Sequence, residues 1–383
     1  MRYVVLVPFA AALGVSVTAS AFATPTLDSI KVFASGSAVG GTQPDSVSVG
    51  NGSVWIEYGN GADSTGAGGN STIVQYSAAT GAIQSTYTIS GLVDGLKIDP
   101  STGFVWALQN NDANSTLTLI NPITHVVSAP LRYAPPYMYT TPGPLARGYD
   151  DVAFDGSKVF LSYTNPTSPT DPVVQQLNQG NHPTGLLTTT NILLNEQTGT
   201  NSDTDSLKTT PNGDLVLTSE GDGPGSGSNG VITLISNAGE PDQSVSDVLV
   251  TDGHGNNVQG MDDVLFPSAT SGDLFFTDTA NNDVYEAVLS GLDPNTPIAS
   301  LASFDELGLV DLATGVATPF IDNSNIPGGL LSSPHGIDFL PVPEPGSLTL
   351  LGAGFAAAAA FRRRAKHTAA ARRRGQWFAK RTG

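Results

Sequence analysis

A strand opening of one type recurs along residues 43–341 and constrains the fold more than any other feature of the chain. Five openings start with an acidic residue followed by apolar side chains, and a sixth starts with histidine. The openings begin at Asp45, Asp94, Asp150, Asp205, Asp262 and His335. They are spaced by 49, 56, 55, 57 and 73 residues. A period of this length is typical of arrays in which one supersecondary unit repeats.

A tight turn and a second strand follow the first five openings. The turns are predicted at Asn51-Gly52, Thr102-Gly103, Asp155-Gly156, Asn212-Gly213 and Ser271-Gly272. Gly and Asn tolerate the positive φ angles of hairpin turns. The second strands present large apolar side chains at matching places, at Trp55, Trp106, Phe160, Val216 and Phe275. The pattern indicates repeated antiparallel hairpins.

Repeats of about 50 residues with four short strands each predict an all-β fold, the β-propeller, over residues 24–341. We expect six repeats, five full blades and a sixth that the apolar alternation at Asp28–Ala34 closes as an N-terminal strand. A five-bladed propeller is one alternative. A two-sheet β-sandwich also fits the turn spacing, but it does not explain the recurring period. The openings resemble those of NHL-like and gluconolactonase-like propellers, although no full motif set of one family is present.

The first strand of a propeller blade lines the central channel, so the six opening residues are expected to form a ring at one channel mouth. Three roles remain open for them: hydrogen bonds to backbone between blades, a Ca²⁺-type site, and acid/base catalysis. The candidate metal ligands are Asp45, Asp94, Asp150, Asp205, Asp262 and His335. The absence of cysteine from the chain disfavours a zinc site.

The resemblance to gluconolactonase-like propellers implies a divalent cation at the channel mouth that activates a water molecule. Those enzymes use a Glu, an Asn and Asp residues there, and the sequence alone does not match that set residue by residue. No catalytic residue is therefore assigned. The favoured hypothesis is a non-enzymatic binding or structural protein, and the alternative is a divalent-cation-dependent hydrolase or lactonase.

Residues 1–23 have the pattern of a cleaved secretory signal. Arg2 precedes an apolar stretch, Val4–Val17, and small residues stand at Ala21 and Ala23 before Thr24. Small residues at these two positions fit the signal peptidase. The apolar run is shorter than the ~20 residues that a stable membrane span needs. The sequence therefore predicts export with cleavage before Thr24.

A second address lies at residues 342–364. It consists of the box Val342-Pro343-Glu344-Pro345, an apolar stretch at 348–361 and the basic cluster Arg362-Arg363-Arg364. These elements, in this order, resemble the PEP-CTERM sorting region of exported Gram-negative proteins, which is also labelled an ice-binding-protein C-terminal domain without implying ice binding here. The resemblance implies a transmembrane helix held transiently in the inner membrane, with the arginines on its cytoplasmic side, and cleavage by an exosortase. Residues 365–383 run on as a basic tail, which is a departure from the usual pattern.

Charge is distributed unevenly along the chain, whose formal net charge is −18. Residues 24–361 hold all 34 acidic residues and six of the 16 basic ones, which gives −28, whereas residues 362–383 hold nine bases. An acidic body repels nucleic acid phosphates, so nucleic acid is not an expected partner. The expected location is periplasmic, at the cell surface or in the extracellular matrix, where polysaccharide or a surface protein is the expected partner.

Overall fold

The computed structural model describes residues 24–112, 114–134, 148–166, 168–198, 204–220 and 230–342. Within these ranges, six four-stranded antiparallel sheets follow one another around a channel. The first sheet comprises β2 (Pro44–Gly50), β3 (Ser53–Tyr58), β4 (Asn70–Ser77) and β5 (Ile83–Ser90). The second comprises β6 (Val93–Ile98), β7 (Val105–Gln109), β8 (Thr116–Ile120) and β9 (Leu131–Arg132). The third comprises β10 (Tyr149–Asp155), β11 (Lys158–Tyr163), β12 (Pro172–Leu177) and β13 (Thr189–Leu194).

The last three sheets complete the ring. The fourth comprises β14 (Thr204–Thr209), β15 (Leu215–Ser219), β16 (Val231–Ser236) and β17 (Ser244–Leu249). The fifth comprises β18 (Val264–Leu265), β21 (Ile298–Leu301), β22 (Glu306–Asp311) and β23 (Val316–Ile321). The sixth runs β24 (Pro334–Pro341), β19 (Ser271–Asp278), β20 (Asp283–Ser290) and β1 (Thr26–Ser35) from the innermost strand outwards. Three short 3₁₀ turns also occur, at Gly36–Ala38, Asn195–Gln197 and Ala302–Phe304.

The structure is thus the predicted six-bladed propeller, and both the five-bladed ring and the β-sandwich are excluded. The predicted closure by the N-terminal strand is confirmed, because β1 pairs with β20 from Thr26–Ser290 to Ser35–Asp283. The sixth sheet therefore takes its outermost strand from the start of the chain and its innermost strand from residues 334–341. Joining the two ends in one sheet covers an edge that would otherwise remain open.

The fifth and sixth sheets exchange strands, which the sequence did not predict. After the innermost strand β18, the chain builds β19 and β20 in the sixth sheet and then returns to complete the fifth. Phe275 therefore lies on the second strand of the sixth sheet and not of the fifth. The predicted turn at Ser271-Gly272 is also wrong, since both residues lie within β19. Gly272 serves close packing there, because a Cβ atom would lie 2.4 Å from the Leu340 oxygen and 2.4 Å from Phe339 Cζ.

The core lies between neighbouring sheets and uses the second strands predicted to be apolar. Trp55, Trp106, Phe160, Val216 and Phe275 are at most 1% exposed. Trp106 of the second sheet, for example, meets Phe154 of the third edge to face, with ring centroids 5.2 Å apart. Full burial of one such side chain contributes roughly 1.5–3 kcal/mol. This packing fixes each innermost strand relative to its neighbours.

The innermost strands set the two faces of the ring. Each begins near its ring residue, on what we call the mouth face, and ends on the opposite side, which we call the exit face. In the first four sheets the pairing of the innermost and second strands shifts by one residue at this start, as between Pro44 and Val47. Such a β-bulge places two residues of one strand opposite a single residue of its partner and re-aims their side chains.

Candidate functional site

All six predicted ring residues line one cavity at the mouth face. Its volume is about 180 Å³, and its walls are Asp45, Asp94, Asp150, Asp205, Asp262, His335, Asn111, Thr204 and Glu220. The first six come from the starts of the six innermost strands. The convergence follows from the repeat, because equivalent positions around a closed ring must face a common axis. What the arrangement can bind depends on its charges.

His335 is held between two carboxylates. Its Nδ1 lies 2.9 Å from Oδ1 of Asp45 and 2.8 Å from Oδ1 of Asp262. Its Nε2 lies 2.9 Å from the hydroxyl of Ser333. Burial opposes the charged imidazole, but Asp262 and Asp45 together raise the pKa of His335 well above its usual value. The ring therefore contains an imidazolium at neutral pH, which offsets part of the negative charge.

The carboxylates elsewhere in the ring are electrostatically crowded. Burial, followed by the charges of Asp150, Asp45 and Asp262, raises the pKa of Asp94 well above its usual value. Burial and the nearby Asp262 and Glu220 act on the pKa of Asp205 in the same direction. Such repulsion is relieved either by protonation or by a bound cation.

Two groups of potential metal ligands occur among the described residues. The ligand atoms of Asp205, Glu220 and Asp262 all lie within 4.8 Å of one another, and so do those of Asp45, Asp262 and His335. In the second group the ligand atoms already form the imidazole–carboxylate contacts. The first group offers only carboxylate oxygens, which are the donors that hard cations such as Ca²⁺ prefer.

Asn111 and Glu220 belong to the mouth although sequence reasoning missed them. Both come from loops that follow second strands, β7 and β15, which end on the face where the innermost strands begin. Asn111 donates from Nδ2 to Oδ1 of Asp150 at 3.0 Å, and its own Oδ1 is buried without a hydrogen-bond partner among the described residues. Their position directly after the second strand of a repeat was the feature of the sequence that could have placed them at the mouth.

Bonding between sheets, one of the three roles considered for the ring, is performed by a deeper set of acids: Asp151, Asp263 and Asp338. Asp151 accepts from the amide of Val152 at 2.8 Å and from that of Leu207 in the next sheet at 3.1 Å. Asp263 accepts from Val264 and Ile337 in the same manner, and Asp338 from Phe339 and Val49. Each carboxylate therefore ties its own strand to the following one.

Two lysines of innermost strands contact the deeper acids. Lys97 Nζ is 3.5 Å from Asp151 Oδ2, and Lys208 donates to Asp263 and to the backbone oxygen of Ile337. Burial lowers the pKa of Lys208. For Lys97 the neighbouring carboxylates outweigh burial and raise the pKa. The lysines compensate the deeper acids, so the uncompensated negative charge is concentrated at the mouth.

The predicted sorting and signal residues lie largely outside the described ranges. Thr24 and Val342 are described, whereas Ala21, Ala23, the rest of the Pro-Glu-Pro box, the apolar stretch and Arg362-Arg363-Arg364 are not. In the described part of the chain, no helix has the length and apolar character needed to cross a membrane. The transmembrane helix expected at 348–361 falls beyond it.

These features define a class of protein: a six-bladed β-propeller with a sorting signal at its C-terminal end. Residues 341–364 match the PEP-CTERM protein-sorting motif. The chain is accordingly an exported protein processed by an exosortase, with membrane-associated sorting. No curated protein matches the sequence.

Several solved structures resemble the fold at low sequence identity. Kuenenia stuttgartiensis hydrazine synthase is 9% identical with a TM-score of 0.41, over 70% of this chain and 64% of the other. A Lactobacillus plantarum protein is 10% identical with a TM-score of 0.42, over 78% and 88%. TolB from Acinetobacter baumannii is 11% identical with a TM-score of 0.35, over 66% and 56%. The chain thus spans less than two thirds of the length of the hydrazine synthase and TolB chains, and likeness at this level carries no functional argument.

Proposed function

We propose that this protein is an exported binding protein of the cell surface or extracellular matrix whose channel mouth holds Ca²⁺. The observation that carries the proposal is the group of Asp205, Glu220 and Asp262, whose carboxylate oxygens lie within 4.8 Å of one another. Asp94 and Asp150 line the same cavity. A bound Ca²⁺ typically has six to eight oxygen ligands at 2.3–2.6 Å. The carboxylates that line this cavity supply several of these ligands in the folded structure.

The deeper layer supports the same proposal. Asp151, Asp263 and Asp338 accept hydrogen bonds from backbone amides, so the structural role is carried out below the ring. The ring carboxylates, in contrast, line the mouth cavity, where a cation can contact them. A cation replaces their mutual repulsion with attraction, and the calcium-bound ring could then bridge to acidic groups of an extracellular polysaccharide or a surface protein.

Thermal unfolding with Ca²⁺ and with a chelator tests the proposal. A ligand at 100 times its dissociation constant stabilises the folded state by about 2.7 kcal/mol, so Ca²⁺ should raise the melting temperature by several degrees. Asp205→Asn should reduce this shift because it removes the negative charge of one of the oxygen ligands. Asp155→Asn, which changes an exposed hairpin residue on the exit face, should retain it. Equal melting of the unmodified protein with and without Ca²⁺ would refute the proposal.

A divalent-cation-dependent hydrolase or lactonase is a second candidate, and one observation favours it. The mouth combines a Glu, an Asn and several Asp residues, at Glu220, Asn111 and the acidic ring, the residue types expected from the gluconolactonase-like resemblance. His335 fits a proton-accepting role poorly, since its raised pKa keeps it charged. A cation-bound water would therefore have to be the nucleophile. Lactone hydrolysis that requires Ca²⁺ or another divalent metal, and is lost in Asp262→Asn, would establish this activity; calcium binding without turnover would leave the binding role.

In the same proposal, the sorting residues serve the proteolytic processing of the chain. Glu344 and its flanking prolines form the box at which the exosortase cuts, and Arg362, Arg363 and Arg364 keep the end of the segment in the cytoplasm. The mass of the mature protein tests both ends of the chain. A mature chain that begins at Thr24 and lacks the residues beyond the box is expected, whereas a mature chain ending at Gly383 would contradict cleavage.

A further inference from the structure

The chain leaves the propeller on the face opposite the acidic mouth. His335 lies near the start of β24, at the mouth, and Pro341 ends the same strand on the exit face. There Gly272 pairs with Pro341, and the amide of Val342 donates to the Ser271 oxygen at 3.1 Å. Because β24 is the innermost strand of its sheet, this departure point lies close to the channel axis.

The sorting segment starts very soon after this point. From Val342 to Leu348 there are six residue steps (348 − 342), and a fully extended chain covers at most about 3.6 Å per step, or about 22 Å. The eight residues of β24 span about 23 Å from mouth to exit face at 3.3 Å per residue. A mouth turned towards the bilayer would require the segment to run back along that whole length before it met lipid. About 22 Å of fully extended chain would have to cover this length and also pass outward around the four strands of a blade, so the segment is too short for that orientation.

The exit side also carries exposed apolar side chains. Ile123 is 87% exposed, Val126 62% and Leu186 58%. They lie in the loops that join the third and fourth strands of the second and third sheets, and antiparallel alternation puts these loops at the exit side. Asn181 of one such loop contacts Ser101 of a hairpin on that face at 2.6 Å. Among the described residues, the one other large apolar side chain that is more than 55% exposed is Leu330, at 65%, in the β23–β24 loop on the mouth side. Exposed apolar side chains grouped on one face of a protein commonly mark a contact surface.

We propose that the uncleaved protein rests with its exit face on the lipid bilayer, contacts the lipid through Ile123, Val126 and Leu186, and turns its acidic mouth away from the membrane. This inference depends on the proposed insertion of residues 348–361 and not on calcium binding. The segment that leaves β24 near the channel axis and the apolar side chains at the rim together hold the exit face parallel to the bilayer surface. The surplus of exposed acids, such as Asp155, Asp242 and Asp311, makes a zwitterionic surface the preferred partner. Cleavage in the box then releases the contact.

The absence of cysteine from the chain makes a direct test feasible. Single-cysteine variants of the chain from residue 24 to 383 would carry a fluorophore at one site each. Ser157→Cys lies in the β10–β11 hairpin of the exit face, and Thr170→Cys lies in the β11–β12 loop at the mouth face of the same sheet; both residues are exposed. Leu351→Cys reports on insertion. Quenching by headgroup spin-labelled lipid in phosphatidylcholine vesicles is the readout.

We expect strong quenching of the labels at positions 351 and 157, and at least threefold weaker quenching at 170. Equal quenching at 157 and 170, or none at 157 with quenching at 351, would overturn the orientation while leaving insertion intact. No quenching at 351 would refute insertion and this inference with it, whereas the calcium proposal, measured without lipid, would stand. Ile123→Ser/Val126→Ser/Leu186→Ser should at least halve quenching at 157 without changing it at 351. An unchanged value at 157 would refute the apolar contact.

Discussion

Glu57 shows how one residue can depart from a repeated pattern. It lies on the second strand, opposite the bulge at Asp45 and Ser46, where other sheets place a hydroxyl such as Ser162, Thr218 or Ser300. Glu57 is fully buried, and its carboxylate oxygens make no well-formed hydrogen bond among the described residues, although the Ser71 hydroxyl lies close enough to lower its pKa somewhat. Burial, and then the charge of Asp45, raises its pKa well above the usual value. The folded protein therefore keeps this carboxyl protonated.

This raised pKa gives a prediction about pH. The folded state holds the proton more tightly than the unfolded state, so the contribution of Glu57 to stability is complete below about pH 4.5 and is lost as the pH rises through the folded-state pKa. Glu57→Gln should therefore gain stability over the unmodified protein at about 1.4 kcal/mol per pH unit in that window. Urea unfolding at pH 5, 6 and 7 measures the difference. Glu240→Gln, on the surface, is the control, and a pH-independent effect of Glu57→Gln would contradict the raised pKa.

The buried ammonium group of Lys208 gives a second prediction. This group lies against Asp263 and the Ile337 oxygen, so Lys208→Met leaves Asp263 as a buried charge without that partner. Removal of one member of a buried pair costs about 3–5 kcal/mol. Lys158→Met breaks a more exposed pair with Glu240, at 2.5 Å, and should cost at most about 1 kcal/mol. Chemical denaturation measures the free energy of unfolding of both variants. Equal losses of stability would show that the buried Lys208–Asp263 pair contributes no more than the exposed Lys158–Glu240 pair.

At the scale of the strand, the ring positions were predictable and their neighbours were not. The recurring acid at each opening was sufficient to place Asp45 and its equivalents at one mouth. Strict alternation, however, sends the second acid of Asp150-Asp151 and of Asp262-Asp263 away from the channel. In the third sheet the β-bulge re-aims Asp150 and Asp151, and both members of each pair line the channel. A one-residue shift in pairing has no clear signature in a single sequence.

The exchange between the fifth and sixth sheets was hidden for a different reason. The last spacing, 73 residues, is longer than the other four and was the available signal, because the extra length is the excursion through β19 and β20. Local pattern cannot tell which sheet a hairpin joins, since β19 and β20 would satisfy either one. Asn111 and Glu220 were missed because loops have no periodicity from which their direction can be derived.

Gly272 offers a test of this exchange. A methyl group there would meet the backbone of Leu340 and the ring of Phe339 on β24, so Gly272→Ala should destabilise the protein by about 1–3 kcal/mol through overpacking. Gly253→Ala, at an exposed turn glycine outside the positive-φ region and with open space around it, should change stability by no more than about 0.5 kcal/mol. Thermal unfolding compares the two variants. If Gly272→Ala were tolerated as well as Gly253→Ala, β24 could not lie as close to β19 as described.

On the scale of the whole molecule, the ring is held by two ends of the chain that meet in one sheet. β1 and β24 are separated by nearly the whole sequence, yet both belong to the sheet built on β19 and β20. Closure of such a long loop costs entropy that only the completed sheet recovers. The packing of Phe33 against Phe275, with ring centroids 5.0 Å apart, adds β1 to the same core. The acidic mouth thus depends on strand β1, which contributes no residue to it.

Two truncations separate closure from sorting. Removal of residues 24–35 deletes β1, exposes the edge of β20 and should abolish cooperative unfolding or cause aggregation, because an unpaired strand edge is a template for association. Removal of residues 343–383 leaves all 24 strands in place and should leave the melting temperature within about 2 °C of the longer chain, since none of the described strands is lost. Calorimetry and light scattering measure both outcomes. A monomeric, cooperatively folded chain without residues 24–35 would mean that the ring closes through β24 alone.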